Sequence, residues 1–143
     1  MILLLHLAAT GVMIGIIWFV QVVHYPLLAR VGRDAFAAYE QAHTRLTTYV
    51  VGPPMLLELG TGVWLAYRPP AGVPRGVMLA GLALIAVIWI STFLLQVPEH
   101  GRLERGWDPA AHRRLVRGNA IRTAAWTLRG VLVIWIVAGQ AGG

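Results

Sequence analysis

Four stretches of this chain, 2–23, 47–67, 77–97 and 120–138, are apolar over almost their whole length. Each is close to the ~20 residues that a helix rising ~1.5 Å per residue needs to cross bilayer hydrocarbon. A backbone in hydrocarbon finds no water to bond, so each such stretch is expected to satisfy itself as a helix. Only 13% of the 143 residues are charged, against about 25% in an ordinary soluble domain. The expectation is an all-α, polytopic membrane four-helix bundle, with residues 1–143 forming one transmembrane domain. The first stretch lacks the basic n-region and small-residue cleavage site of a signal peptide, so it is expected to be retained. The chain has no cysteine, which excludes disulfides, thiolate ligands and thiol nucleophiles.

Orientation follows from arginine, the only basic residue apart from histidine. Arg30, Arg33 and Arg45 follow the first span, and Arg102, Arg105, Arg113, Arg114, Arg117 and Arg122 follow the third, nine in all. The opposite side has two, Arg68 and Arg75. Arginine concentrates on the cytoplasmic side of membrane proteins. Both long connections, 1–2 and 3–4, are therefore expected to be cytoplasmic, with both termini outside. A net charge of +6 placed beside apolar spans points to membrane lipid as the partner and not to nucleic acid.

Local signals refine the bundle. Gly52-Pro53-Pro54 predicts a kink or a fresh helix start in the second span. Arg68-Pro69-Pro70-Ala71-Gly72-Val73-Pro74 predicts a tight turn outside. Phe36, Tyr39 and Leu46 predict a short helix leading into the second span. Asp108-Pro109-Ala110-Ala111 predicts a capped helix start. Phe19-Val20-Gln21 with His24 and Pro26 resembles Phe93-Leu94-Leu95-Gln96 with Pro98 and His100, which suggests a parallel two-helix repeat about an axis normal to the membrane. Gly11 and Gly15 form Gly-x-x-x-Gly, which serves packing within the chain or a homo-oligomer.

Polar residues inside the spans are costly, so they are expected to face the bundle interior or a wet cavity. Glu58 and Arg129 lie at similar depth and are expected to form an intramembrane ion pair. Asn119, Arg122, Trp126 and Arg129 share one face of the fourth span by their spacing of three and four. Trp89, Thr92, Gln96 and His100 do so on the third, and Trp18 and Gln21, with His24 or Tyr25, on the first. These stripes predict a cytoplasmic-leaflet pocket lined by Gln21, Gln96, Trp89 and Trp126, floored by the Glu58–Arg129 layer. His6 and His112 have no partners in the pattern.

Glu40-Gln41-Ala42-His43 puts two metal-ligating groups on one helix face, as in di-iron carboxylate bundles. With His24 and His100 they form a candidate metal set, His24, Glu40, His43 and His100, suited to iron, manganese or zinc. The second Glu-x-x-His of the di-iron bundles is missing. Two histidines on separate helices, His24 and His100, also raise haem. No phosphate-binding glycine loop and no nucleophile elbow are present.

His24-Tyr25-Pro26, Tyr39 to Arg45, Pro53-Pro54-Met55-Leu56-Leu57-Glu58, Gln96-Val97-Pro98-Glu99-His100 with Leu103, and Asn119-Ala120-Ile121-Arg122-Thr123 with Trp126 and Arg129 together resemble a group of small bacterial four-helix membrane proteins. That resemblance covers most of the chain and implies a multi-pass protein of the bacterial inner (cytoplasmic) membrane. More distantly, Pro98 to Leu103 followed by Asn119-x-x-Arg122 resembles the anthrone-oxygenase-like membrane proteins. By that resemblance, His100, Asn119 and Arg122 would bind or deprotonate a phenolic substrate without a dedicated cofactor, although His100 stands where that family more often has asparagine. The expected function is an integral-membrane oxidoreductase or oxygenase acting on a lipophilic small-molecule substrate. The alternatives are a small carrier or channel, and a structural membrane subunit.

Overall fold

The computed structural model describes residues 1–141, which are helical apart from short connections, with no strand among the described residues. Four rods result. The first joins α1 (Ile2–Phe19) to α2 (Tyr25–Leu28) through a π-helical turn, Val20–His24. The second is α3 (Arg33–Tyr67). The third joins α4 (Arg75–Ser91) to α5 (Val97–Leu103) through a second π turn, Thr92–Gln96. The fourth is α6 (Pro109–Ala141).

Each π turn has the same cause. A proline follows it at the second position of the next helix, Pro26 in α2 and Pro98 in α5. Proline has no N–H, and its ring crowds the carbonyl four residues back. The residue before each proline bonds five residues back instead, Tyr25 to Val20 and Val97 to Thr92, and the extra residue makes room. Pro53 and Pro54 act differently. They lie inside α3, which continues through them as one helix of 35 residues. The expected fresh start is therefore absent, as is a separate short helix before the span. Asp108 Oδ1 accepts from the N–H groups of Ala110 (2.7 Å) and Ala111 (3.1 Å) and starts α6 as its sequence predicts. Gly72, at φ +73°, turns the chain between α3 and α4.

The first rod packs between α3 and α6, and α4 closes the ring from the other side. Burial is inverted relative to a soluble bundle. His6, Thr10, Glu58, Gln96, Asn119, Arg122 and Arg129 are buried, while Val12, Phe19, Leu56, Val63, Leu94, Val131 and Ile134 are exposed. Apolar side chains turned outward on every rod are what a lipid surround favours. Three rods are long and apolar enough to cross a membrane: Ile2–Leu28, Arg75–Leu103 and Pro109–Gln140, with mean hydropathy 2.2, 2.5 and 1.5. α3 is not among them, because Thr47, Thr48, two prolines and Glu58 dilute its apolar residues.

Along the bundle the interior is layered. Leu65, Ala66, Met78 and Ile136 fill the end near the 68–74 turn. The Glu58–Arg129 pair comes next, then a layer of Met13, Ile17, Met55, Ile88, Ala125 and Trp126. Tyr25, Leu28, Phe36, Leu103, Ala111 and Leu115 close the arginine-rich end.

Candidate functional site

Glu58 and Arg129 meet with Nε 2.9 Å from Oε1, both side chains almost wholly buried. Each carboxylate oxygen is further bonded. Oε1 accepts from Thr10 Oγ1 at 2.7 Å, and Oε2 accepts from the Trp126 indole at 2.8 Å. Arg129 also donates to the Gly81 carbonyl, and its Nη2 donates to His6 Nε2 at 2.8 Å. His6 Nδ1 then donates to Thr61 Oγ1 at 2.7 Å, whose own hydroxyl donates to the Leu57 carbonyl at 2.6 Å. This accounts for every polar group in the layer and fixes the His6 tautomer. Sequence reasoning passed over His6, yet His6 and Thr10 stand one helical turn apart, as do Glu58 and Thr61 (three residues), so matching polar steps on two rods were visible.

Toward the arginine-rich end a cavity of about 360 Å³ opens between the first rod, α3 and the third rod, with Arg122 of α6 reaching its wall. Met13, Ile16, Ile17, Val51 and Val97 make its apolar side, and Tyr25, His43, Gln96, His100 and Arg122 its polar side. Thr48 of α3 and Val97 of the third rod both line it and both are exposed, so its mouth lies between those rods. The floor is Met13 and Ile17. The Glu58–Arg129 layer, expected as the floor, lies behind that apolar layer and does not line the cavity.

The polar wall is a connected set. Fully buried Glu40 accepts from His100 Nδ1 at 2.5 Å, and His100 Nε2 lies 3.0 Å from the Tyr25 hydroxyl. With Nδ1–H committed to the carboxylate, Nε2 is the acceptor and Tyr25 the donor. Gln96 Oε1 sits 3.3 Å from the same hydroxyl. The π turns set these positions. Tyr25 directly follows the first bulge and Gln96 is the last residue of the second, and both side chains are buried in the interior. Tyr25 is further held through its carbonyl, which accepts from His112 Nε2 at 2.8 Å. His112 is thus a brace that the sequence pattern did not single out.

His24, Glu40, His43 and His100 converge as the sequence suggested, but not as metal ligands. The His24 and His43 rings stack on each other at 4.3 Å with planes 27° apart. Both His100 nitrogens are engaged, and His43 Nδ1 lies 3.1 Å from Thr47 Oγ1. Among the described residues no group of three or more His, Cys, Asp or Glu is arranged to hold a metal ion. The set therefore does not fit iron or manganese as the sequence expected. The His43 ring stands 4.3 Å from that of His24 and 5.5 Å from that of His100.

The remaining candidates divide. Asn119 is buried away from the cavity. Its Nδ2 donates to Gln21 Oε1 at 2.8 Å, and its Oδ1 accepts from Arg122 Nη1 at 3.4 Å. Gln21 and Asn119 thus stand behind Arg122. Of the four expected lining residues only Gln96 lines the cavity. Gln21 is spent on Asn119, Trp126 on Glu58, and Trp89 packs against the apolar layer and Phe93. The Gly11–Gly15 face is exposed, and a methyl group added at either glycine would touch nothing within 4 Å. That motif therefore does not pack the bundle from inside. Compared with protein-family models, with curated proteins and with solved structures, the chain matches none.

Proposed function

We propose that this protein is a four-span enzyme of the bacterial cytoplasmic membrane. In this reading it removes a proton from a lipophilic, hydroxyl-bearing substrate that reaches the cavity sideways from the lipid. α3 is the remaining crossing, since its polar residues turn inward onto α1 and α6 while Leu56, Val63 and Trp64 face out. The arginine-rich end faces the cytoplasm. The observation that carries the reading is the Glu40–His100–Tyr25 chain ending in an apolar-walled cavity. A carboxylate on Nδ1 holds the ring and stabilises its protonated form, which makes Nε2 a competent base. The Tyr25 oxygen takes the substrate proton as its own passes to His100 Nε2. Arg122 stabilises the negative charge left on the substrate.

The oxygenase form of this reading rests on the resemblance to anthrone-oxygenase-like proteins and uses dissolved dioxygen as the oxidant of the substrate anion. It requires no bound metal. A carrier would need a continuous polar route, and Met13, Ile17, Met55 and Ile88 stand between the cavity and Glu58. The test is dioxygen uptake by purified protein in lipid nanodiscs supplied with anthrone, a tricyclic phenol tautomer. Wild type should exceed protein-free nanodiscs, and His100→Gln and Glu40→Gln should each lose about 10²-fold of that excess, the usual scale for a positioned base. Wild-type uptake no faster than the blank removes the oxygenase assignment.

A further inference from the structure

The two buried arginines of α6 are satisfied very differently. Arg129 has a carboxylate, a carbonyl and an imidazole. Arg122 is only 7% exposed, yet among the described residues it has no carboxylate within ion-pair distance. Its one hydrogen bond is the 3.4 Å contact to Asn119, and its Nε is buried with no partner. The guanidinium carbon lies 5.2 Å from the centre of the Trp126 ring, whose indole N–H is already committed to Glu58. A cation cannot shed its charge here, because a guanidinium does not deprotonate in proteins, and an uncompensated buried charge is strongly destabilising.

The cavity that Arg122 lines holds one carboxylate, Glu104, at its rim. That group is engaged with Thr44, 2.7 Å away, and makes no ion pair with Arg122. The other carboxylate behind the wall, Glu40, is given to His100. Exposed Val97 lies at the mouth, Val51 and Ile16 pack against the apolar floor, and Gln96, Tyr25 and Arg122 are buried in the polar wall.

We infer that the counter-charge of Arg122 is supplied by the bound molecule: an amphiphile that arrives already ionised, with an oxyanion head (carboxylate or phosphate) on Arg122 and an apolar body leaving between α3 and the third rod. The inference rests on the cavity being the binding site of the proposed function and adds the chemical class of its occupant. The proton removed by the Tyr25–His100 chain then comes from a second acidic position on the same molecule, whose charge shares Arg122 with the head; anthrone, which has no head group, probes that second position alone.

The experiment uses parinarate, a fluorescent fatty acid, and its methyl ester, added to the full protein in phosphatidylcholine nanodiscs. Binding is read by energy transfer from tryptophan, with empty-scaffold nanodiscs as background. The acid should bind at least about tenfold more tightly than the ester. Arg122→Gln should abolish the difference, and Arg122→Lys should retain most of it, both variants being compared by size exclusion to establish folding. The acid–ester comparison on wild type needs no variant, so a misfolded Arg122→Gln protein does not remove the test. Nanodiscs containing phosphatidylglycerol separate the sources of the head group: displacement of parinarate identifies a lipid phosphate, and undiminished binding a single-chain acid. Equal binding of acid and ester, or binding of neither, overturns the inference. His100→Gln should keep the acid preference while losing dioxygen uptake, so the catalytic reading can fail while this one stands, and the reverse.

Discussion

A charge buried in a bundle is tolerated only in company, and the residues around Glu58 supply that company at every atom. Removing one partner leaves the other uncompensated, which in buried pairs costs about 3–5 kcal/mol. Glu58→Leu should therefore destabilise the protein by about that amount in a denaturation titration from mixed micelles. Glu58→Leu combined with Arg129→Met should recover a large part of the loss, because two apolar groups need no partner. If the double variant were as unstable as the sum of its singles, the layer would be held by more than the pair. The pair was legible in the sequence because two costly residues at one depth have few alternatives. His6 was legible only through the matching polar steps His6–Thr10 and Glu58–Thr61, a weak signal, since a lone histidine in an apolar run has no other spacing partner on its own helix. Glu40–His100 was legible only as proximity. Whether two such groups bind a metal or each other depends on ring orientation, which spacing does not encode.

At the scale of elements, the close approaches are made by glycines that no motif marked. A methyl group at Gly118 of α6 would lie 2.7 Å from Gln96 Nε2 and 3.2 Å from the Leu95 Cβ, so this glycine lets α6 pass the second π turn. The amide of Gln96 can swing aside, but the Leu95 Cβ moves only with its backbone. Gly118→Val should lower thermal stability and disturb the cavity wall by displacing Gln96. Gly15→Ala, with nothing within 4 Å, should be neutral or slightly stabilising, by up to about 1 kcal/mol, because alanine is the better helix former. Melting curves of the two variants in the same detergent check the contrast, and equal losses would mean the packing assignment is wrong. The start of α6 offers a pH test. Hydrogen bonds from the backbone N–H groups of Ala111 and Ala110 hold the Asp108 carboxyl below its ordinary 3.8. A carboxyl whose pKa is lowered by folding stabilises the fold above its unfolded value, and that contribution fades as pH falls through the folded value. Wild type should melt above Asp108→Ala at neutral pH, and the gap should narrow below about pH 4. The proline-directed π turns were partly visible too. The sequence matched their flanks at Phe19 and Phe93, whereas the structure aligns the two bulges and their prolines, Pro26 with Pro98. That alignment sets His24 opposite Gln96, not opposite His100.

For the whole molecule, the placement of charge decides which leaflet supplies the cavity. The cavity lies at the arginine-rich end, bounded by His100, Gly101 and Glu104, so its mouth opens to the leaflet that those arginines face. In the proposed orientation, with nine arginines against two kept inside because basic connections resist translocation across the membrane, that face is the cytoplasmic one. The absence of cysteine makes this directly measurable, because any introduced thiol is the only one in the chain. Ala71 lies in the turn between α3 and α4 and Arg105 in the connection before α6, and both are exposed. In intact cells a membrane-impermeant maleimide should label Ala71→Cys and spare Arg105→Cys. Disrupting the membrane should then expose Arg105→Cys to the same reagent. Labelling of Arg105→Cys alone in intact cells would invert the protein and hand the cavity to the outer leaflet. Labelling of both before disruption would mean that the third rod, the only one between the two positions, does not cross the membrane. A cavity on the cytoplasmic leaflet draws from molecules made inside the cell, and this pair of thiols decides whether an amphiphile bound on Arg122 has that origin.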